Sequence, residues 1–185
     1  MRLTSYSFPV LLLLTLAPWG LTQADPRVEL DARVTATLER LYAKQSEAKA
    51  LGARARGILV FPRVYKGGAG VGAEYGEGAL LVQGSTQGYY RLTSLSVGFQ
   101  LGGQAKSDVV MFMTDESLRG FVESDGWEAG VDGSIAVIEF GVGKEIDTNN
   151  LRDPIIGFVF GNKGLMYDLS LEGTKFWKLK KPRNP

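Results

Sequence analysis

Residues 67–81, reading GGAGVGAEYGEGALL, restrict the fold more than any other stretch. Gly67, Gly68, Gly70, Gly72, Gly76 and Gly78 crowd it, yet Val71, Ala73, Tyr75, Ala79 and Leu81 recur two or four positions apart. That spacing is a strand rhythm, because successive side chains of a strand point to opposite faces. Glycine weakens a strand, so a strand this rich in glycine implies bulges, sharp bending or the close approach of another backbone. A dinucleotide-binding G-x-G-x-x-G loop would need a strand before it and a helix after it. Here a turn and a further apolar run at 79–82 follow, so the pattern predicts a bent strand or hairpin.

The first 24 residues read as a secretory signal peptide. Arg2 gives a positive start, residues 8–16 are apolar apart from Pro9 and Thr15, and Thr22-Gln23-Ala24 offers a small-residue exit. The apolar run falls short of the ~20 residues that span a bilayer. Residues 25–185 remain, an ordinary length for one domain, and Arg2 is the only charge removed, which leaves a near-neutral chain. Neutrality argues against nucleic acid as a partner, which calls for a strong positive field. The chain has no cysteine and no histidine. Disulfides, thiol nucleophiles, zinc–thiolate sites, Ser-His-Asp triads and histidine metal clusters are therefore excluded.

Residues 25–56 form the helical part. Val28, Val34, Leu38, Leu41, Tyr42 and Ala48 recur at helical steps, with Glu29, Arg33, Glu39, Arg40, Lys44 and Glu47 between them. Asp25 suits a cap and Pro26 a first turn. The mixed charges favour packing on a sheet over lying on a membrane. Ile58-Leu59-Val60-Phe61, stopped by Pro62, and Val109-Val110-Met111-Phe112-Met113 read as buried strands. Residues 84–88 suggest a hairpin loop, and residues 89–101 alternate. Thr114-Asp115-Glu116 opens a short helix with a capping side chain and early acid. Val131-Asp132-Gly133-Ser134 carries an Asp-Gly hairpin signal between two strands in 127–142. Residues 155–160 and 165–176 complete seven to nine strands. The expected fold is α+β: a mainly antiparallel, strongly curved or partly closed sheet with an N-terminal helix and one short internal helix. The expected layout is a signal peptide at 1–24, the helical segment at 25–56, a β-rich region at 57–181 and a tail at 182–185.

Four ordered segments carry a family resemblance: AEYGEGALL (73–81), FMTDESLRGF (112–121), GWEAGVDGSIAV (126–137) and FGNKGLMYDLSLEGTKF (160–176). Together they resemble the SYLF domain from about Ala48 to Lys178. SYLF domains occur in bacterial secreted proteins and in eukaryotic proteins that also carry SH3 or FYVE domains. The resemblance implies lipid binding, with phosphoinositides as ligands of the eukaryotic members, and in some cases actin association. For this chain it implies a lipid- or membrane-binding module. The chain departs from the eukaryotic pattern in having an export signal and no SH3 or FYVE segment.

The candidate lipid contacts are basic and aromatic residues. In the C-terminal run 174–183, Lys175, Lys178, Lys180 and Lys181 alternate with Phe176, Trp177 and Leu179. Basic residues near an anionic surface contribute about 1 kcal/mol each, and aromatic rings favour the membrane interface. The same run also reads as an edge strand blunted by lysine. Arg63, Lys66 and Lys106 are secondary candidates for an anionic head group, and Tyr75 and Asp168 for a pocket. Glu74 and Glu77, three apart on a strand, face opposite sides, so they make a paired acid and base only across a bulge. Glu145, Asp147, Asn149 and Asn150 offer oxygens without a full calcium-loop spacing. No cofactor or metal is expected. The expectation is a non-enzymatic binding domain of the bacterial cell envelope, periplasmic or secreted, whose partner is phospholipid or an anionic membrane surface. The rival is an envelope structural module with a protein partner, and a carboxylate-based hydrolase stands behind both.

Overall fold

The computed structural model describes residues 25–139, 152–161 and 171–180, and for residues 69–70, 96–104 and 139 it describes the backbone alone. The signal-peptide segment, Asp168, Lys181, the polar loop holding Glu145 and Asp147, and most of the expected strand 165–176 lie outside these residues.

Helix α1 spans Pro26–Lys44, with Pro26 in its first turn and the Asp25 carboxylate accepting from the Arg27 N–H at 2.9 Å. Its buried residues, Leu30, Val34, Thr37, Leu38 and Leu41, form one stripe at helical spacing. The helical part is not continuous. Gln45 adopts an extended conformation, and a second helix, α2, runs Ser46–Gly52 with Ala48 and Leu51 buried.

Two very long strands follow, β1 at Gly57–Val82 and β2 at Ser85–Phe112, paired antiparallel along their length. The turn between them is only Gln83-Gly84, with φ of 51° and 75°. Two left-handed residues match the twist of the flanking strands. Thr86 and Gly88, expected in a loop, therefore sit in the ladder opposite Leu81 and Leu80. Register shifts at Phe61/Val64, Ala69/Val71 and Leu80/Leu81 bend the hairpin.

The bend brings the far half of β1 onto its own beginning. A Cβ on Gly78 would lie 2.1 Å from the Val60 carbonyl oxygen, and one on Gly76 would lie 3.0 Å from that of Arg63. Gly72, Gly76 and Gly78 face inward, whereas Val71, Ala73, Tyr75 and Glu77 face out. The glycine-rich rhythm thus supplies one smooth face against which the same strand folds back.

Among the described residues, the remaining elements complete a six-stranded sheet. Helix α3 spans Asp115–Glu123, capped by the Thr114 hydroxyl accepting from the Ser117 N–H. Strand β3 is Trp127–Glu128, β4 is Ala136–Glu139, β5 is Ile155–Phe160 and β6 is Lys175–Lys178. The order is β3-β6-β2-β5-β4, with β1 on β2, and β4 runs parallel to β5. Residues 127–139 therefore do not form a hairpin: β3 pairs with β6 and β4 with β5. Asp132 still makes the turn, accepting from the Glu128 N–H at 2.7 Å. Nor is the C-terminal strand an edge, because β6 lies between β2 and β3.

The wholly apolar runs are explained by burial on both faces. Leu59, Phe61, Val110, Phe112, Ile155 and Val159 face one core, which also holds Phe121, Trp127 and Phe176. Val60, Val109, Met111, Ile156, Phe158 and Phe160 face a second core beneath α1 and α2. The helices cover a sheet face, not an open edge.

A candidate anion-binding cleft

Where α1 crosses the hairpin, a cleft of about 530 Å³ opens. Helix α1 contributes Arg33, Ala36, Thr37 and Arg40, β1 contributes Pro62, Arg63 and Tyr65, and β2 contributes Ala105, Lys106 and Ser107. Arg33, Thr37 and Arg40 are four and three residues apart and so share a helix face. Pro62 sits at the first register shift, where a residue without an N–H is tolerated. Its carbonyl accepts from the Ser107 hydroxyl at 2.8 Å.

The arginines are held in place. Arg40 donates to the Ser107 hydroxyl at 3.3 Å and to the Thr37 hydroxyl at 3.2 Å, with its guanidinium 5.8 Å from the Phe160 ring centre. Arg63 donates to the Tyr65 hydroxyl at 3.3 Å. Arg33 reaches Glu29 only at 3.8 Å, through an exposed pair. Among the described residues that line this cleft none is a carboxylate. A smaller hollow of about 180 Å³ shares Arg33, Pro62, Arg63 and Tyr65 and continues to Leu30, Tyr75, Gly76 and Glu77. Planar guanidinium groups with spare donors suit phosphate and carboxylate oxygens.

Behind the cleft lies a buried ionic cluster. Lys66 Nζ is 3.2 Å from Glu74 Oε1, Lys106 Nζ is 2.9 Å from Glu74 Oε2, and Lys106 Nζ is 3.3 Å from Asp108 Oδ2. All four side chains are buried. Coulombic attraction to Asp108 and Glu74 is the main force that holds Lys106 in place. Burial pushes the Asp108 carboxyl up from 3.8 to about 6, against the pull of Lys106 and with the added repulsion of Glu74. Burial would lower the Lys106 ammonium, but Asp108 and Glu74 outweigh it and hold it above its ordinary value.

The candidate residues divide accordingly. Arg63 and Lys106 meet at the cleft, with Tyr75 at its smaller extension. Lys66 is buried against Glu74, because the bend folds it inward. Phe176 is 2% exposed in the aromatic core, so it faces away from any surface. Lys175, Trp177, Lys178 and Lys180 are exposed, and Lys175 pairs with Glu128 at 3.0 Å. Glu74 and Glu77 do face opposite sides: Glu77 is exposed, accepts from the Tyr75 hydroxyl at 2.7 Å and meets Arg91 at 3.5 Å. Among the described residues no acidic cluster is arranged to hold a metal ion, and no helix is long and apolar enough to cross a membrane. Sequence reasoning passed over Arg33 and Arg40 as polar residues between the apolar positions of α1. Their spacing of seven, two helical turns, was the available signal.

The described residues form a curled sheet under two helices with a cationic hollow between them. Residues 93–181 match the family model described as Ysc84, Las17-binding protein actin regulator, which is consistent with a SYLF-domain protein. The match begins inside β2 and runs through β6, so it includes three of the four recognised segments and not 73–81. Among curated proteins none matches the chain.

Proposed function

We propose that this protein binds anionic lipid head groups in the bacterial cell envelope, after export directed by residues 1–24. The observation that carries the reading is the cleft that gathers Arg33, Arg40 and Arg63, with no carboxylate among its described lining residues. A phosphodiester would accept from these guanidinium groups, since the charge of Lys106 behind them is already matched by Glu74 and Asp108. The exposed Lys178 and Lys180 would add weaker, salt-screened attraction.

The test is flotation with vesicles of phosphatidylcholine alone or mixed with phosphatidylglycerol, at low and high salt. Binding should need the anionic lipid and weaken with salt. At about 1 kcal/mol per basic residue near the surface, the pair Arg40→Ala and Arg63→Ala should lower affinity by about thirtyfold. Removing the C-terminal lysines by truncation is a poor test, because Phe176 belongs to the core and Trp177 pairs with Arg91. Wild-type affinity for neutral and anionic vesicles that is equal and unaffected by the double substitution would reject the reading. The description of the matched family names a protein partner, and that supports a second reading in which the same cleft takes an acidic protein segment. A complex that survives vesicle competition would favour it. Mass measurement of the exported protein, expected to begin at Asp25, tests the localisation.

A further inference from the structure

The outer face of the bent hairpin presents a graded surface. At the bend, Val71 is 60% exposed and Leu95 is 80% exposed, the highest value among the large apolar side chains described. Four and six residues along β1 come Tyr75, 44% exposed, and Glu77. Directly opposed residues of an antiparallel pair share a face. Leu95 opposes Ala73, Thr93 opposes Tyr75 on one side and Lys175 on the other, and Arg91 opposes Glu77 and Trp177. All of these lie on one continuous face, the part that extends beyond α1 from the covered Ala79 and Tyr89.

The aromatic residues are fixed upon it. The Trp177 indole, 42% exposed, donates to the Thr93 hydroxyl at 3.2 Å. Its ring rests on Gly126, where a Cβ would come within 2.7 Å. Arg91 lies 5.4 Å from the Tyr75 ring centre. Among the described side chains, the face runs from the aliphatic Val71 and Leu95 at the bend, through aromatic residues, to Arg91 and Lys175. Tyr75 also borders the smaller hollow that contains Arg33 and Arg63. At ~3.3 Å per strand residue, Val71 stands about 13 Å beyond Tyr75.

We infer that the bend of the β1–β2 hairpin enters the bilayer, with Val71 and Leu95 in the acyl boundary and Tyr75 and Trp177 at head-group level. The inference rests on the lipid reading and adds an apolar anchor to it. The partner is a membrane and not a protein because the order of side chains follows the layers of a bilayer. Aliphatic groups reach deepest, rings with a polar edge lie at the interface, and the arginines stand where phosphates are. On this face Glu77 is matched by Arg91 and Glu128 by Lys175. Interfacial elements sink about 5–10 Å, a depth that covers Val71 and Leu95 and stops short of Trp177.

The absence of cysteine makes a single label clean. The full chain would carry Leu95→Cys, or Val131→Cys as a control at a turn residue 74% exposed, each bearing a nitroxide. Collision rates with oxygen and with a water-soluble nickel chelate would be read with and without phosphatidylglycerol-containing vesicles. On vesicles the Leu95 label should lose nickel access severalfold and gain oxygen access, with the Val131 label unchanged. Leu95→Asp should abolish the binding that persists at high salt. Protein that floats with the vesicles while its Leu95 label stays water-exposed would overturn the insertion and leave head-group binding intact. Protein that does not float would overturn both. Protection of the label without vesicles, rising with protein concentration, would show that a second copy covers the face and would also overturn it.

Discussion

Replacing Asp108 by asparagine should stabilise the protein at pH 8, and by about half as much at pH 5. The carboxyl is completely buried on β2 beside Lys106, and burial raises it from 3.8 to about 6. At about 1.4 kcal/mol per tenfold change in proton affinity, ionising it in the folded state costs about 3 kcal/mol. A raised acid contributes stability that is fully present below about 3.8 and is lost as the pH climbs through about 6. Above pH 6 the wild type carries that cost and the asparagine variant does not. The variant should therefore gain up to about 3 kcal/mol at pH 8 and about 1.6 kcal/mol at pH 5, the difference vanishing only below about pH 3.8. Glu74→Gln should do the opposite. Glu74 stands between Lys66 and Lys106 at 3.2 and 2.9 Å, so its loss strands buried positive charge. Breaking such a pair costs about 3–5 kcal/mol. Urea unfolding of wild type and both variants from pH 5 to pH 8 gives the differences, and subtracting Asp108→Asn from wild type isolates one group. An asparagine variant that is less stable than wild type at pH 8 by 2 kcal/mol or more would show that Asp108 is needed as an anion, and would refute the argument.

Three further outcomes follow from the packing. Gly78→Ala places a Cβ 2.1 Å from the Val60 carbonyl, which is backbone and cannot swing aside; thermal unfolding should show a loss at or above the ~1–3 kcal/mol usual for overpacking. Gly120→Ala, in α3 with open space around it, should in the same assay be neutral or gain about 1 kcal/mol. Phe121 contacts Tyr90, Phe112, Trp127 and Phe176 at ring-centre distances of 4.8–6.1 Å, so Phe121→Ala should cost about 3–5 kcal/mol, readable as a lowered urea midpoint.

Local chemistry was legible where a signal needs only its neighbours in sequence. Asp25 and Pro26 at α1, Thr114 at α3 and Asp132 in its turn could all be placed, because each bonds within four residues. The apolar runs at 58–61, 109–112 and 155–160 read as buried strands because a sheet covered on both faces leaves no polar positions. Strand partners were less legible. Nothing local distinguishes a hairpin in 127–139 from β3 and β4 pairing with the distant β6 and β5. Strand extent was illegible for a related reason: runs expected as separate strands join into β1 and β2 because the glycines bend the ladder without breaking it.

By itself, then, the sequence determined the α+β class, a curved antiparallel sheet, the exclusion of thiol and histidine chemistry, and a glycine-smoothed strand that something must approach. Only the tertiary structure decided that the approaching element is the same strand's own beginning. It also decided that Lys66, Glu74, Lys106 and Asp108 share one buried cluster, and that Arg33 and Arg40 of α1 meet Arg63 of β1 across one hollow. Composition and periodicity report which face a residue prefers. They carry no information about which two faces, far apart along the chain, a bend will bring together.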